Sequence, residues 1–350
     1  MTLHFDPNSK ASANDGIFGL PFSEKDSQVI YLPIPWDVTT SYGKGTHKGP
    51  DAVLKASEQI DFFDLEYGMA YEVGLHMKKQ SAAIKKANLQ LRLHAEKIMD
   101  ADSDSIKKSK TLSASLSKVN EGSDQLNESI YLDCKKILAQ KKTPIILGGD
   151  HSVPFGALKA YAETYPNLGI LHFDAHSDTR KAYMGFEHSH ASIMYNAMTK
   201  IPKIGKLIQV GIRDFCEEEY TYTEKHNKIE VHFDVDLQRR KQAGEKWLDI
   251  AKEIVSSLPK QIYISFDIDG LDPRYCPHTG TPVPGGLEYH EVTAILAEIV
   301  KSGKTIVGFD LVEVAPGPKG DEWDANVGMR LLYKMTAAML ASQKKIRSKL

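Results

Sequence analysis

Short apolar segments rich in β-branched residues alternate along the chain with segments of helical spacing. Six apolar segments predict buried strands, and they cover residues 29–33, 143–147, 168–173, 207–212, 261–266 and 305–312. Apolar residues at helical spacing predict helices over residues 153–165, 244–257, 289–302 and 327–342. Strands that alternate with helices are typical of a parallel sheet, because every parallel connection needs a crossover. The pattern therefore predicts an α/β fold with helices on both faces of the sheet.

Residues 77–142 interrupt this alternation. Their apolar residues recur at spacings of three, four or seven, as Leu91 and Ile98 do, which predicts amphipathic helices. We interpret the region as a helical insertion with many exposed lysines, either a solvated elaboration or a subunit contact, and we assign it no chemistry. Residues 1–28 are interpreted as an N-terminal arm, and residues 29–350 as a single domain that includes the insertion.

Composition excludes several classes of partner. The 350 residues include 44 Lys and Arg against 46 Asp and Glu, so no global field attracts nucleic acid or anionic lipid. No stretch approaches the roughly 18 apolar residues of a membrane span, and no secretory signal is recognisable. Cys134, Cys216 and Cys276 form no C-x-x-C pair, so we expect no disulfide framework. These features predict a soluble, cytoplasmic protein.

Acidic and imidazole side chains follow three of the predicted strands. They are His151 after the second strand, Asp174, His176 and Asp178 after the third, and Asp267 and Asp269 after the fifth. On extended backbone, residues two apart point to the same side. Ligands of open parallel sheets bind beyond the carboxyl ends of the strands, where all three groups fall. We therefore expect these six side chains to meet at one edge of the sheet.

Four carboxylates in one place repel one another unless a counter-charge is present, and divalent metal supplies it. The set contains oxygen and nitrogen donors without sulfur, which suits Mn²⁺ and tolerates Ni²⁺, cobalt or iron. Six ligands exceed what one open catalytic ion needs. Two ions that share carboxylates can lower the pKa of a water molecule enough to make a nucleophile near neutral pH. The pattern therefore predicts a hydrolase with two divalent ions.

Two further residues extend the predicted site. His190 follows the second group closely enough to serve as a proton shuttle. Glu313 follows the strand predicted over 305–312, again at a carboxyl end. A carboxylate that no metal needs suits a planar guanidinium, which pairs with it in a fork geometry, although a surface salt bridge is the alternative.

These motifs resemble the ureohydrolases, the arginase and agmatinase family of binuclear metal amidinohydrolases. The matching motifs are GGDHS at 148–152, DAHSD at 174–178, SFDIDGLDP at 265–273 and EVAP at 313–316, and residues 41–50 resemble the family's substrate-side loop. The resemblance implies a three-layer α/β/α sandwich with a mostly parallel sheet. It also implies hydrolysis of a small guanidino compound to urea and an amine, two Mn²⁺ or Ni²⁺ ions, and a homo-oligomer, either trimer or hexamer.

The resemblance also implies a role for each residue of the site. His151 and Asp178 would bind one ion, His176 and Asp269 the other, and Asp174 and Asp267 would bridge them. His190 would deliver a proton to the leaving amine, and Glu313 would hold the guanidinium nitrogens. Asp178 is grouped with these two as a candidate catalytic residue.

The loop that follows Asp178 does not decide which tail the substrate carries beyond its guanidino group. It lacks the Asn-rich and Ser/Thr-rich segment by which arginases hold an α-amino acid, which favours agmatine over arginine, with Glu187 as the candidate partner for the distal ammonium. Arg180 and Lys181 instead favour a distal carboxylate, as in guanidinobutyrate, guanidinopropionate or formiminoglutamate, unless both side chains turn to solvent. Bulky Tyr183, Met184 and Phe186 would restrict the site to guanidine. Outside the family, a single-zinc deacetylase-like hydrolase would need fewer ligands, and a non-enzymatic binding protein would need none.

Overall fold

In this computed structural model, the described part of the chain, residues 5–8 and 16–350, contains ten strands and eleven α-helices. The strands are β1 (Val29–Ile34), β2 (Phe63–Asp64), β3 (Gly68–Met69), β4 (Leu75–Met77), β5 (Thr143–Gly148), β6 (Leu168–Phe173), β7 (Ile204–Ile212), β8 (Ile229–Phe233), β9 (Gln261–Asp267) and β10 (Thr305–Val312). The helices are α1 (Gly49–Ala56), α2 (Ala82–Met99), α3 (Ser103–Lys108), α4 (Lys110–Ala139), α5 (Phe155–Thr164), α6 (Ile193–Lys200), α7 (Glu217–Lys225), α8 (Asp234–Gln242), α9 (Trp247–Ser257), α10 (Tyr289–Lys301) and α11 (Trp323–Ser342). No described helix is long and apolar enough to cross a bilayer.

Eight of the strands form one sheet in the order β4-β1-β5-β10-β9-β6-β7-β8, and every neighbouring pair is parallel. Successive residues of a strand contact opposite layers, because their side chains alternate across the sheet. Tyr31 and Ile145 pack in the core with α1, α9, α10 and α11, whereas Ile30 and Ile146 pack with α2, α4 and α5. The predicted three-layer α/β/α sandwich is confirmed.

All six predicted strands are present, but two further strands of the sheet escaped prediction. They are β4 and β8, the two edge strands. The three residues of β4 are too few to show a period, and β8 reads IEVHF with every residue only half-buried. An edge strand has one pairing partner and stays short or polar, so its sequence signal is weak.

The region interpreted as a helical insertion is helical, since α2, α3 and α4 lie within residues 82–139. It is more than a solvated elaboration. Ile98 of α2 and Ile130 of α4 are buried against Ile30 and Ile146 of the sheet. These helices therefore supply much of one outer layer, and without them the β1–β5 part of the sheet would expose apolar surface to water.

The first residues divide at about position 16. Ile17, Phe18 and Leu20 are buried in the main core, where the Phe18 ring packs edge-on against Tyr333. The segment interpreted as an arm thus contributes core residues from position 17 onward. Residues 1–4 and 9–15, which belong to the same predicted arm, lie outside the described part of the chain.

Candidate active site

The site lies at the carboxyl ends of four adjacent strands, β5, β10, β9 and β6. Each strand delivers its side chains where the backbone leaves the sheet. His151 follows β5, Glu313 follows β10, Asp267 and Asp269 lie at the end of β9, and Asp174, His176 and Asp178 follow β6. Residues more than 160 positions apart in sequence are thereby brought together, as His151 N–H donating to Glu313 Oε1 at 3.0 Å shows.

Gly149 allows the ends of three neighbouring strands to approach one another closely enough to bring these side chains together. Gly149 follows β5 between the ends of β1 and β10, and Glu313 N–H donates to its carbonyl at 2.8 Å. A Cβ at this position would lie 2.0 Å from the Trp36 carbonyl oxygen. Any side chain would therefore push the strand ends apart, and with them His151 and Glu313.

Three carboxylate oxygens converge on one nitrogen of His151. They lie 2.9 Å (Asp174 Oδ2), 3.1 Å (Asp178 Oδ2) and 3.3 Å (Asp267 Oδ2) from its Nδ1. The other ring nitrogen, Nε2, lies 3.0 Å from Ser265 Oγ, whose hydroxyl donates to Asp310 at 3.1 Å. Because Ser265 donates elsewhere, it accepts from His151 Nε2–H, which leaves the Nδ1 lone pair facing the carboxylates. One lone pair among three carboxylates is a donor set for a cation.

A second donor set shares Asp174 with the first. His176 Nδ1 lies 3.2 Å from Asp269 Oδ2 and 3.4 Å from Asp174 Oδ1, the oxygen turned away from His151. All six predicted ligands therefore lie together, with Asp174 between the two imidazoles. Nitrogen and oxygen donors without sulfur fit divalent ions of the Mn²⁺ type.

The carboxylates and imidazoles of the cluster perturb one another strongly. Burial lowers the pKa of His151, but hydrogen bonds with Asp174, Asp178 and Asp267 outweigh it and raise the pKa well above its usual range. Burial and the charge of Asp174 raise the pKa of Asp178 to about 7. Protons therefore compete with metal for these groups near neutral pH.

Two residues of the cluster adopt left-handed backbone conformations that side chains rarely take. Asp178 has φ 54° and Glu313 has φ 60°. Such a conformation costs about 1–3 kcal/mol and persists only where surrounding contacts hold it. The Asp178 carbonyl accepts from Met194 and Tyr195 N–H at 3.0 and 3.2 Å, which ties this turn to the start of α6. The backbone is strained at the positions that aim these two carboxylates.

His190 and Glu313 face each other beside the cluster. His190 Nδ1 lies 3.9 Å from Glu313 Oε1, and His190 Nε2 lies 3.3 Å from Ser41 Oγ. Glu313 is 2% exposed, and no described residue hydrogen-bonds its Oε2. Burial, followed by the charges of Asp267 and Asp150, raises the pKa of Glu313 well above its usual range. A cation bound beside Glu313 would lower this pKa again and leave a carboxylate whose unpaired oxygen needs a donor.

A cavity of about 140 Å³ opens onto His176, Asp178 and His190. Arg180 lines it, but its Nε lies 3.4 Å from the buried carboxylate of Glu219 and its guanidinium stacks 4.9 Å from the Tyr183 ring centre. The structure does not bring Glu187 to this cavity. Its side chain is exposed, and its carbonyl accepts from Asn196 on α6.

A family model of the arginases matches residues 27–338 of the chain. This protein belongs to the arginase family. The chain is 32% identical over 304 residues to a protein of Thermus thermophilus named N(1)-aminopropylagmatine ureohydrolase, a match that covers 85% of this chain and 87% of the relative.

Solved structures share the arginase-family fold. The agmatine ureohydrolase of Thermoplasma volcanium superposes with a TM-score of 0.67 at 24% identity over 92% of this chain and 93% of that one. The proclavaminate amidino hydrolase from Streptomyces clavuligerus gives a TM-score of 0.70 at 22% identity over 95% of this chain and 99% of that one. The family resemblance read from the motifs is confirmed, whereas the role of each residue stays a prediction.

Sequence reasoning missed His172, which lies in β6 two residues before Asp174. Gln209 Nε2 donates to the Ser177 carbonyl at 2.7 Å, which fixes its amide orientation, and also to His172 Nδ1 at 2.9 Å. His172 therefore carries its proton on Nε2 and donates to Asp174 Oδ2 at 2.8 Å. The sequence could have revealed His172, because it lies two residues before Asp174 and continues the i, i+2 spacing of Asp174, His176 and Asp178.

A second missed residue is Asp214, which follows β7. Its side chain is 67% exposed at the cavity mouth, and its Oδ2 lies 3.8 Å from His176 Nε2. A lone Asp after a strand gives no distinctive pattern, so only the fold places it beside the cluster.

We expect metal binding to weaken as the pH falls through about 7. A ligand binds metal in its deprotonated form, and the pKa of Asp178 is raised to about 7, so below that value a cation must displace its proton. Each displaced proton lowers the apparent affinity about tenfold per pH unit. Calorimetric titration of metal-free protein with Mn²⁺ at pH 6 and pH 8 measures this. Equal affinities at the two pH values would contradict it.

Proposed function

We propose that this protein hydrolyses agmatine, or a longer polyamine derivative with the same guanidino group, to urea and an amine, using two divalent ions, Mn²⁺ or Ni²⁺. The observation that carries the proposal is Glu313, a buried carboxylate with an unpaired oxygen beside a metal-binding cluster. A guanidinium presents paired N–H donors and a positive charge, which together match this carboxylate.

The residues around the cluster divide the work of hydrolysis. The six predicted ligands would hold two divalent ions, which would supply positive charge and lower the pKa of a water molecule. Glu313 binds the guanidinium nitrogens and presents the central carbon to the cluster. Water oxygen adds to that carbon, the bond from carbon to the amine nitrogen breaks, and urea and a free amine result.

We propose that His190 moves the proton that this reaction requires. Burial, followed by the charges of His176 and His151, lowers the pKa of His190 to about 3, so its free imidazole is neutral at pH 7. A neutral imidazole can take the proton that water releases and pass it to the departing nitrogen. Its position 3.9 Å from Glu313 Oε1 sets it close to the guanidinium that Glu313 would hold.

The charges around the cavity favour a cationic tail. Arg180 is neutralised by Glu219 and stacks on Tyr183, so it has little capacity left for a substrate carboxylate. Asp214 adds an exposed negative charge at the mouth. The sum over these three charged groups is −1, which suits an ammonium and disfavours the distal carboxylate of guanidinobutyrate. Asp214 replaces Glu187 as the candidate partner for the ammonium.

Restriction of the site to guanidine itself has less support. Phe186 is buried in the core under α4, and Met184 is partly exposed outside the cavity lining, so of the three bulky residues only Tyr183 borders the cavity. The Thermus relative carries a name that denotes an aminopropyl derivative of agmatine, which agrees with room for a longer tail. We further propose a cytoplasmic location, consistent with the free state of Cys134, Cys216 and Cys276, and a homo-oligomer, which the family resemblance implies.

Urea release tests the proposed function directly. Protein loaded with Mn²⁺ or Ni²⁺ is assayed against agmatine, aminopropylagmatine, arginine, guanidinobutyrate, guanidinopropionate and guanidine, and formamide release is followed for formiminoglutamate. We expect the highest kcat/KM for one of the two amine-bearing guanidines, with about two metal ions bound per chain. If only guanidine or a guanidino acid were turned over, the proposed substrate would be wrong. Full activity with one metal ion bound per chain would contradict the proposed binuclear site.

Replacing Glu313 by Gln should lower kcat/KM by about 30-fold, because a charged hydrogen bond to the guanidinium worth about 2 kcal/mol is lost. Steady-state kinetics measures the loss. Metal content by elemental analysis serves as the control, since Glu313 is not among the predicted ligands. Loss of metal in parallel with activity would show that Glu313 acts on the cluster and not on the guanidinium.

Replacing Asp214 by Asn should weaken agmatine turnover about fivefold, as about 1 kcal/mol of a partly exposed ion pair is lost. Turnover of guanidinobutyrate should rise, because the substrate carboxylate is no longer repelled by the negative charge of Asp214. Glu218→Gln is the matched control, since it removes the same charge from an exposed position of α7 that does not line this cavity. Equal effects on both substrates would rule out tail recognition by Asp214.

A further inference from the structure

Helix α2 turns a polar stripe toward the active-site side of the molecule. Asn88, Arg92 and Glu96 lie four residues apart on α2, so they share one face of the helix. Asn88 is only 2% exposed, and the Arg92 side chain is 12% exposed. A buried amide and a nearly buried guanidinium must be satisfied by specific partners.

Arg92 pairs with Glu96 on its own helix, where its Nε donates to Glu96 Oε1 at 3.3 Å, and finds its other partners in the loop that follows β1. Its Nη1 donates to three backbone carbonyls, those of Asp37 at 3.0 Å, Val38 at 3.1 Å and Thr40 at 2.6 Å. These carbonyls belong to neither a helix nor a strand, and the Asp37 carbonyl also accepts from Thr40 N–H at 3.4 Å within a turn. One guanidinium thus gathers the backbone of residues 37–40 around a single positive charge.

Asn88 fixes the start of the same loop from the neighbouring turn of α2. Its Oδ1 accepts from Asp37 N–H at 2.8 Å, and its Nδ2 donates to Asp37 Oδ1 at 3.0 Å. The second Asp37 oxygen accepts from Gly45 N–H at 3.1 Å and lies 2.6 Å from His47 Nδ1. Both ends of the loop are therefore tied together and to α2.

The loop delivers two hydroxyls to His190. Thr39 Oγ1 accepts from His190 N–H at 3.1 Å, and Ser41 Oγ lies 3.3 Å from His190 Nε2. Thr39 and Ser41 alternate with Val38 and Thr40, two of the residues whose carbonyls Arg92 holds. A displacement of those carbonyls would therefore move the two hydroxyls that contact His190.

We propose that Arg92, supported by Asn88, is a positioning residue that holds residues 37–41 so that Thr39 and Ser41 fix His190 beside Glu313. This gives a role to the helical region for which sequence reasoning found none. The proposal rests on the proposed function, in which His190 moves a proton. Arg92 acts through the loop and the imidazole, and it contacts none of the six predicted metal ligands through the bonds described.

A double-mutant cycle tests the proposal. Arg92→Met keeps the apolar stem and removes the donors, and Arg92→Lys restores one donor; each is made in the natural chain and beside His190→Asn. We expect Arg92→Met to lower kcat about 10-fold to 100-fold while the affinity for Mn²⁺ stays unchanged. Arg92→Lys should recover part of this loss of kcat. In the His190→Asn background, Arg92→Met should lower kcat by less than about a further twofold. Lys86→Gln, an exposed change on the same helix, should have no effect.

Equal losses in both backgrounds, or weaker Mn²⁺ binding in Arg92→Met, would overturn the proposal, since Arg92 would then act on the fold or the cluster. Hydrogen exchange followed by mass spectrometry separates this from failure of the proposed function. We expect Arg92→Met to speed exchange in residues 37–45 and to leave residues 143–178 unchanged, whether or not any guanidino compound is turned over. Unchanged exchange in residues 37–45 would also overturn the proposal.

Discussion

Burial of several carboxylates at one edge of the sheet is the constraint on which the rest of the structure depends. Asp174, Asp267 and Asp269 are each at most 3% exposed, yet they lie within reach of one another. Charges so placed are stable only with counter-charges. Protonated His151 and His176 supply part of this positive charge, because burial is outweighed by the neighbouring carboxylates, which raise the pKa of each imidazole well above its usual range. A cation that bound to the cluster would displace the His151 Nδ1 proton and take over its role. The parallel sheet makes this possible, because it carries four strand ends to one edge and keeps water from the side chains beneath.

The grouping of the six predicted ligands at one sheet edge could be predicted from sequence because these residues obey local rules. Each follows an apolar segment that is easily identified as a strand, and the i, i+2 spacing of Asp174, His176 and Asp178 states directly that they share a side. The rule that parallel strands place ligands at their carboxyl ends then joins segments distant in sequence. Glu313 was found by the same rule, but its unpaired oxygen and its contact with His151 N–H became visible only in three dimensions.

The parts of the site that escaped prediction act across layers. Arg92 contacts carbonyls more than 50 residues away, and its own surroundings on α2 look like those of any surface helix. Asp214 and the pairing of Arg180 with Glu219 depend on how the loops after β6 and β7 pack together. Phe186 was expected to border the substrate, but its side chain is buried in the core under α4. No periodicity records the direction in which a loop side chain points.

The residues that could be predicted and those that could not serve different parts of the site. The sheet edge sets the cluster, and strained turns at Asp178 and Glu313 persist because strands and helices fix both of their ends. The loops set the shape and charge at the cavity mouth and the placement of His190. The Arg180 side chain pairs with Glu219, and the Asp214 carboxylate approaches the cluster only at His176 Nε2, 3.8 Å away, among the described residues. Their charges can therefore change while the donor sets stay intact. A fold arranged in this way can retain one hydrolytic chemistry and alter the tail of the guanidino compound that it accepts.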